Sequence, residues 1–182
     1  MIKRIWNTEY KLVIQQDEWV ESPREWNDWS KLCIREHRRS NFPNELGFSE
    51  CDFENIEKIA NIAKENGLTL FWLDCYEHSN IYFSLAGTGT QCRFDTSNKC
   101  GFILAESEEV AKQEIETYNS WLNWEVYEYI IEEREVIEKE WKTFYTDWEF
   151  IDSCGGFYDW ESMVGQQDIF SKEEFEKAYF KY

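Results

Sequence analysis

Aromatic side chains must supply much of the core of any fold that this chain adopts. Phe, Tyr and Trp make up 18% of its 182 residues, and ten of these residues are Trp. The net charge is −18, but acidity of this kind is typical of disorder only where aromatic residues are few. Because each aromatic ring buries roughly 150–250 Å², these residues can form a core despite a modest aliphatic content. We therefore expect a folded chain, with a single domain over residues 1–182.

The negative charge is concentrated in residues 106–140, which hold twelve acids and three bases and so carry −9 of the total −18. A field of this sign repels nucleic acid and membrane phosphates and attracts proteins with basic grooves. Aromatic residues, which are enriched at protein interfaces, lie among these acids. The segment therefore predicts a protein-binding surface, against the alternative of a solvated face that keeps the chain soluble. The predicted partner-binding residues are Glu108, Glu109, Glu116, Glu125, Glu128, Glu132, Glu133, Glu135, Glu138, Trp121, Trp124 and Trp141.

The sequence favours a cytoplasmic location. No window approaches the roughly 18 consecutive apolar residues that span a bilayer. The N-terminal residues also lack the apolar segment and cleavage site of a secretory leader. The six cysteines are therefore expected to be reduced. We expect a monomer or a dimer with no membrane partner.

The hydrophobic pattern predicts an α+β fold: a small, mainly antiparallel sheet with two or three helices and an aromatic-rich core. Strands are predicted over residues 10–15, 68–76, 80–85 and 101–105, and helices over residues 52–65 and after Ser107 and Ser171. Asp52 is the expected N-cap of the first helix and Gly67 its C-terminal stop. Ser171 and Glu174 form a capping box, which opens the last helix.

Residues 124–141 fit two kinds of structure. Tyr127, Tyr129 and Ile131 alternate as in a strand, whereas Ile130 and Ile137 also fit a helical face. We favour a strand through about residue 132. The aromatic segment 144–151 is then expected to pair with it as a hairpin.

Two cysteine–histidine pairs raise the question of a metal site. Cys75 and His78 are closely spaced, and Cys33 precedes His37 by four residues. Zinc needs four such ligands in a tetrahedron, and neither pair belongs to a CxxC…CxxC pattern. Buried thiols with a surface histidine are the preferred interpretation, because a lone cysteine behaves as a small hydrophobe. No cofactor is expected, and zinc held through Cys75 and His78 remains the alternative.

The sequence gives only weak evidence for a catalytic site. A Cys–His couple can act as a nucleophile, but no local signature marks any of the thiols. Asp74, Glu77 and Asp95 lie near predicted strand ends, where acid–base or Mg²⁺ sites form, yet 37 acids make such proximity common by chance. We expect no enzyme. The alternative is a zinc- or thiol-dependent enzyme built on Cys75, His78, Asp95 and Cys154.

Direct binding of phosphate or nucleic acid is also not expected. The segment Gly87-Thr-Gly89-Thr lacks the Lys-Ser/Thr of a P-loop. Basic and aromatic residues interleave over residues 24–39, a pattern that can bind single strands. This stretch holds only five bases against three acids, so we interpret it as an internal ion-pair partner for the acidic segment. The residues concerned are Arg24, Lys31, Arg35, Arg38 and Arg39 with Trp26 and Trp29.

A set of short blocks covers residues 23–158 in a fixed order. The blocks are Pro23-Arg24-Glu25-Trp26, Cys33 with His37-Arg38-Arg39, His78-Ser79, Cys92-Arg93-Phe94-Asp95, Gly101-Phe102-Ile103, Tyr118-Asn119 with Leu122, Tyr127-Glu128-Tyr129, and 152–158 (DSCGGFY). Together they resemble a family of small proteins from bacteriophages and other mobile elements. The chain departs from the family pattern at Cys100, where Val is expected, at Gly155, where Trp is expected, and in a charged insertion around residues 132–143.

The resemblance implies a function but no enzymatic activity. Accessory proteins of this size and acidity resemble inhibitors of host defence, including anti-CRISPR proteins that act on type II-A Cas9. We therefore expect an acidic inhibitor that binds a basic host protein with a nucleic-acid channel, Cas9 being the best candidate. It would block DNA loading or activation. A phage structural or assembly protein is the further alternative.

Overall fold

The computed structural model describes residues 1–26, 30–35, 42–47, 55–89 and 95–179. Within these ranges nine strands and four helices form two antiparallel sheets. The predicted α+β class with an aromatic-rich, sheet-dominated core is confirmed. The chain divides into two compact units, which we call the terminal unit (residues 1–20 and 124–182) and the central unit (residues 21–123). The single domain expected from the length stays a prediction.

The terminal unit is built on one five-stranded sheet. Its strands are β1 (Ile2–Ile5), β2 (Thr8–Gln16), β7 (Tyr127–Lys139), β8 (Lys142–Tyr145) and β9 (Glu149–Phe157). Strand β7 organises the sheet, because it pairs with β2, β8 and β9, while β1 pairs with β2.

One face of this sheet is covered by two helices, α3 (Trp160–Val164) and α4 (Lys172–Tyr179). Leu12 and Tyr129 project from the sheet into a buried cluster that also contains Phe175. The backbone N–H of Ser171 donates to Glu174 Oε2 at 2.8 Å, and the backbone N–H of Glu174 lies 3.4 Å from Ser171 Oγ. The predicted capping box is therefore confirmed.

The ambiguous segment 124–141 is a strand, as favoured, but it runs to Lys139 rather than to residue 132. The alternation at Tyr127, Tyr129 and Ile131 prevails over the helical pattern because β2 offers a matching apolar face. Ile131 stands opposite Leu12, and Tyr129 stands opposite Ile14. The hairpin predicted with residues 144–151 is present, since β8 and β9 both pair with β7.

The central unit contains a four-stranded sheet between two helices. The strands lie in the order β3 (Lys31–Ile34), β6 (Thr96–Ala105), β4 (Thr69–Glu77) and β5 (Ile81–Leu85). Helix α2 (Glu108–Leu122) covers one face together with Ile103 and Ala105, and helix α1 (Ile56–Glu65) covers the other together with Phe102 and Leu104. Residues 102–105 of β6 are a continuous apolar run, as expected for a strand that is covered on both faces.

The structure confirms part of what was predicted for the ends of α1 and α2. Helix α1 begins at Ile56 with Asn55 at its N-cap position, whereas Asp52 and Phe53 lie outside the described residues. The helix ends at Glu65, and the predicted stop residue Gly67 follows the C-cap Asn66 with a φ of 75°, which suits glycine. Leu68 N–H donates to Ala63 O at 2.9 Å. Helix α2 starts after Ser107, whose side chain accepts from Val110 N–H.

Candidate protein-binding surface

The acidic segment does not form one continuous element. Glu108, Glu109 and Glu116 lie on α2 in the central unit, whereas the acids from Glu125 onward belong to the terminal unit. The carboxylate of Glu116 lies 3.9 Å from Lys112 Nζ, one helical turn away. The acidic surface predicted over residues 106–140 is therefore divided between two folding units.

Some acids of the terminal unit are neutralised by the chain's own cations. Lys11 Nζ lies 2.6 Å from Glu132 Oε2, directly across the β2–β7 pair, and Arg4 lies 2.6 Å from Glu138. The carboxylate of Glu128 accepts from the side chain of Gln15 at 2.6 Å. Glu132 and Glu138 were predicted to meet a basic partner. That role stays a prediction, since each acid already has a cation of the chain beside it. The β2–β7 register accounts for the Lys11–Glu132 pair.

The same sheet face holds Arg134 between two aromatic rings. Its guanidinium carbon lies 4.1 Å from the ring centroid of Tyr145 and 4.4 Å from that of Trp148. The guanidinium also pairs with Glu9 Oε2 at 2.7 Å. Lys11 lies 5.6 Å from the Trp148 ring. Cation–π and ionic contacts therefore fix the cations of this face.

A second set of acids behaves differently. Among the described residues, the carboxylates of Glu133, Glu135, Glu140 and Glu149 form no ion pair with a cation of the chain. Glu133 of β7 stands directly opposite Glu149 of β9. Like charges at opposite positions of neighbouring strands destabilise a sheet. This pair is therefore a place where a cation from another molecule would relieve repulsion.

Large apolar side chains are exposed on the same strands and turn as these acids. The exposed ones within residues 137–151 are Ile137, Trp141, Phe144, Tyr145, Phe150 and Ile151. Trp141 occupies the turn between β7 and β8 and is 91% exposed, and Phe150 is 67% exposed. Exposed apolar side chains of this size are candidates for contact with another protein. We call these six side chains, with Glu133, Glu135, Glu140 and Glu149, the hairpin surface.

Two further predicted anchors, Trp121 and Trp124, belong to other elements of the chain. Trp121 is half-buried and stacks on Tyr118 with ring centroids 5.9 Å apart, within the core contacts of α2. Its role as a surface anchor stays a prediction, although its ring packs against the buried stripe of that helix. Trp124 is 63% exposed with a φ of 60°, and Glu125 is exposed beside it.

Arg24, predicted to be an internal ion-pair partner for the acidic segment, has that role. Its side chain is 6% exposed, and it contacts Glu45 at 2.7 Å and Glu114 at 3.3 Å. Its guanidinium also donates to Ser30 O, and Glu114 accepts from the N–H and hydroxyl of Ser30. The network connects the start of the central unit to α2. The buried guanidinium of Arg24 is therefore not exposed for contact with a ligand. Trp29, Arg38 and Arg39 lie outside the described residues.

The cysteine and histidine candidates are not gathered into a site among the described residues. Cys75 is buried and hydrogen-bonds to Cys100, which lowers the pKa of Cys75. The same bond, together with burial, raises the pKa of Cys100. His78 is exposed, and its Nδ1 lies 3.8 Å from Asp95. The described part of the chain contains no group of three or more His, Cys, Asp or Glu placed to hold a metal.

Other candidates of the sequence are structural or lie elsewhere. Asp74 is buried, and its two oxygens accept from the N–H groups of Gly87 and Lys99, each at 2.9 Å. It therefore ties the loop after β5 to β6. Cys154 is an exposed residue of β9 in the terminal unit. The candidates His37, Cys51 and Cys92 fall in ranges that the structure does not describe.

Comparison with known proteins leaves the fold without an assigned family. No family model matches the chain, and no curated protein and no solved structure shows significant similarity to it. The resemblance to phage and mobile-element proteins therefore stays a prediction. Within the described ranges, no helix has the length and apolar character needed to cross a membrane.

Proposed function

We propose that this chain is a non-enzymatic inhibitor, which uses the hairpin surface to bind a basic host protein that handles nucleic acid. The observation that carries the proposal is the pairing of Glu133 with Glu149. These two residues stand at opposite positions of β7 and β9, neither pairs with a cation among the described residues, and exposed aromatic side chains lie on the same strands and on β8.

The two kinds of side chain have different roles in such an interface. Trp141 and Phe150 would lose water on contact and anchor the partner, since a few large aromatic residues carry most of the energy of an interface. The carboxylates would steer a cationic surface during encounter and favour one orientation of it. The acids that are already compensated, Glu132 and Glu138, would contribute little to the attraction.

Cas9 of type II-A is the best single partner that we can name. Such effectors hold nucleic acid in strongly positive channels, which are complementary to this surface. The sequence resemblance to phage and mobile-element proteins points in the same direction. Blocked DNA loading and blocked activation are both compatible with binding at a hairpin.

A cleavage assay with the protein titrated into Cas9 and guide RNA tests this proposal. We expect inhibition that saturates, and we expect Trp141→Ala to raise the half-inhibitory concentration at least tenfold. Trp6→Ala is the matched control, because Trp6 is 90% exposed in the turn between β1 and β2, as Trp141 is 91% exposed in the turn between β7 and β8. Undiminished cleavage at saturating protein would exclude Cas9. Equal effects of the two substitutions would exclude the hairpin surface as the contact.

A further inference from the structure

A groove of about 750 Å³ opens in the terminal unit, where β2 ends and β7 begins. Its volume is within the roughly 300–1,000 Å³ of ligand-binding pockets. Aromatic residues and acids line it: Trp19, Tyr127, Tyr179, Glu18 and Glu128. None of the described lining residues is a lysine or an arginine. The groove therefore combines aromatic rings with negative charge.

The aromatic part of the groove is held in place. The rings of Tyr127 and Tyr179 meet edge to face, with centroids 5.0 Å apart. Burial, followed by a hydrogen bond with Tyr127, raises the pKa of Tyr179 to about 12, so this phenol stays neutral at physiological pH. The buried side chain of Ile14 contributes an apolar surface to the same groove.

Trp19 lies at the groove with a fixed backbone and a solvent-exposed indole. Its backbone N–H donates to Asp17 Oδ1 at 3.0 Å, while Asp17 Oδ2 accepts from Gly156 N–H at 2.9 Å. The residue is nevertheless 90% exposed. Because these hydrogen bonds hold the backbone of Trp19, little backbone entropy is lost when a ligand stacks on its indole.

The carboxylate of Glu128 is also oriented. Its Oε1 accepts from the side-chain amide of Gln15 at 2.6 Å, across the β2–β7 pair. Among the described residues, no cation pairs with Glu128 or with Glu18. A positively charged ligand would therefore meet two carboxylates that are not compensated by the chain.

We propose that this groove binds an arginine side chain of a partner polypeptide. A guanidinium is planar, so it can stack on the indole of Trp19 or on a tyrosine ring while donating to a carboxylate. Charge-assisted hydrogen bonds of this kind are among the stronger polar contacts in proteins. The volume exceeds that of one guanidinium, which leaves room for the backbone that carries it. This site lies outside the hairpin surface and does not depend on the identity of the partner proposed above.

The probe for this site is the capped tripeptide acetyl-Gly-Arg-Gly-amide, titrated into the full chain by NMR while the indole resonances are followed. The matched probe replaces arginine by citrulline, which keeps the shape but removes the charge. We expect saturable shifts of the Trp19 indole with the arginine peptide and at least tenfold weaker binding of the citrulline peptide. Trp19→Ala and Glu128→Gln should each weaken the arginine peptide at least fivefold.

Two control variants separate a specific site from general attraction to an acidic protein. Glu57→Gln removes the same charge at an exposed position of α1, outside the groove, and Trp6→Ala removes an equally exposed indole. Both should leave binding unchanged. Equal binding of the citrulline peptide would overturn the assignment to a charged guanidinium. Equal loss from Glu128→Gln and Glu57→Gln would overturn the site itself. Neither outcome bears on inhibition of Cas9 through the hairpin surface.

Discussion

The side-chain amide of Asn119 on α2 pairs with both backbone groups of Phe83 on the edge strand β5. Its Nδ2 donates to Phe83 O at 2.7 Å, and its Oδ1 accepts from Phe83 N–H at 2.8 Å. One helical turn later, Asn123 makes the same pair of contacts with Ile81. The two asparagines thus occupy backbone groups that an added strand would otherwise use, which is one way in which proteins protect sheet edges.

Replacing both asparagines should expose this edge. For Asn119→Ala combined with Asn123→Ala, we expect a loss of at least about 1 kcal/mol of unfolding free energy per residue, because backbone groups lose their partners. We also expect concentration-dependent self-association, measured by light scattering after size exclusion. Lys112→Ala combined with Gln113→Ala, on the exposed face of α2, is the control and should remain unchanged. A double variant as stable and as monodisperse as the parent would contradict the edge-protecting role.

The buried network around Arg24 should be costly to break. Arg24→Met leaves the carboxylates of Glu45 and Glu114 mostly buried without their cation, and removing one partner of such a pair typically costs about 3–5 kcal/mol. Urea unfolding followed by circular dichroism measures this loss. The triple variant R24M/E45Q/E114Q removes the uncompensated charges and should recover part of it. A single variant within 1 kcal/mol of the parent would show that the network contributes little.

Glu133 is expected to lower the unfolding free energy of the chain and to strengthen partner binding. Glu133→Gln removes the repulsion with Glu149, so the unfolding free energy should rise by roughly 0.2–1 kcal/mol. The same variant should bind the basic partner more weakly. Glu108→Gln, at an exposed position of α2, is the control for loss of one negative charge. A fall in stability for Glu133→Gln would mean that Glu133 is compensated in solution and would remove the observation on which the proposed function rests.

The stability of the fold should fall in alkali. Burial raises the pKa of Tyr118 to about 12, against about 10 for an unfolded tyrosine. Below pH 10 both states keep the proton, so the contribution is fully present; as pH rises from 10 to 12, the unfolded state loses its proton first and the contribution is lost.

Tyr118→Phe isolates this contribution. Between pH 9 and pH 11 the variant should lose about 1 kcal/mol less unfolding free energy than the parent, as measured by urea titration at each pH. It removes only part of the total effect, because burial also raises the pKa of Tyr158 and of Tyr179 to about 12. Parallel pH profiles for variant and parent would show that Tyr118 is not the titrating group.

Local patterns predicted much of the fold. The alternation in β7 and the capping box at Ser171 depend on residues close in sequence, and both are present. Strands β1 and β3 were not predicted, since each has four residues and too short a pattern to detect. The role of Asn119 was not predictable either, because its partner Phe83 lies 36 residues away.

The candidate site was predictable only in part, because its charges depend on contacts between residues that are distant in the sequence. The composition of residues 106–140 indicated an acidic surface with aromatic residues. Which acids lack a neighbouring cation depends on strand register, since Lys11 stands opposite Glu132 whereas Glu149 stands opposite Glu133. The exposed residues Phe144 and Phe150 were not among the predicted contacts, although the aromatic character of their segment was recognised.

The salt dependence of partner binding tests the central claim most directly. The dissociation constant for purified Cas9 would be measured from about 50 mM to 500 mM salt for the parent and two charge-matched variants, a range over which surface charges become strongly screened. We predict weaker parental binding as salt rises, with binding at least tenfold weaker and less salt-dependent for E133K/E149K. E108K/E109K, in the central unit, should match the parent. Equal affinities for all three proteins, or no change with salt, would contradict capture of a basic partner by the hairpin surface.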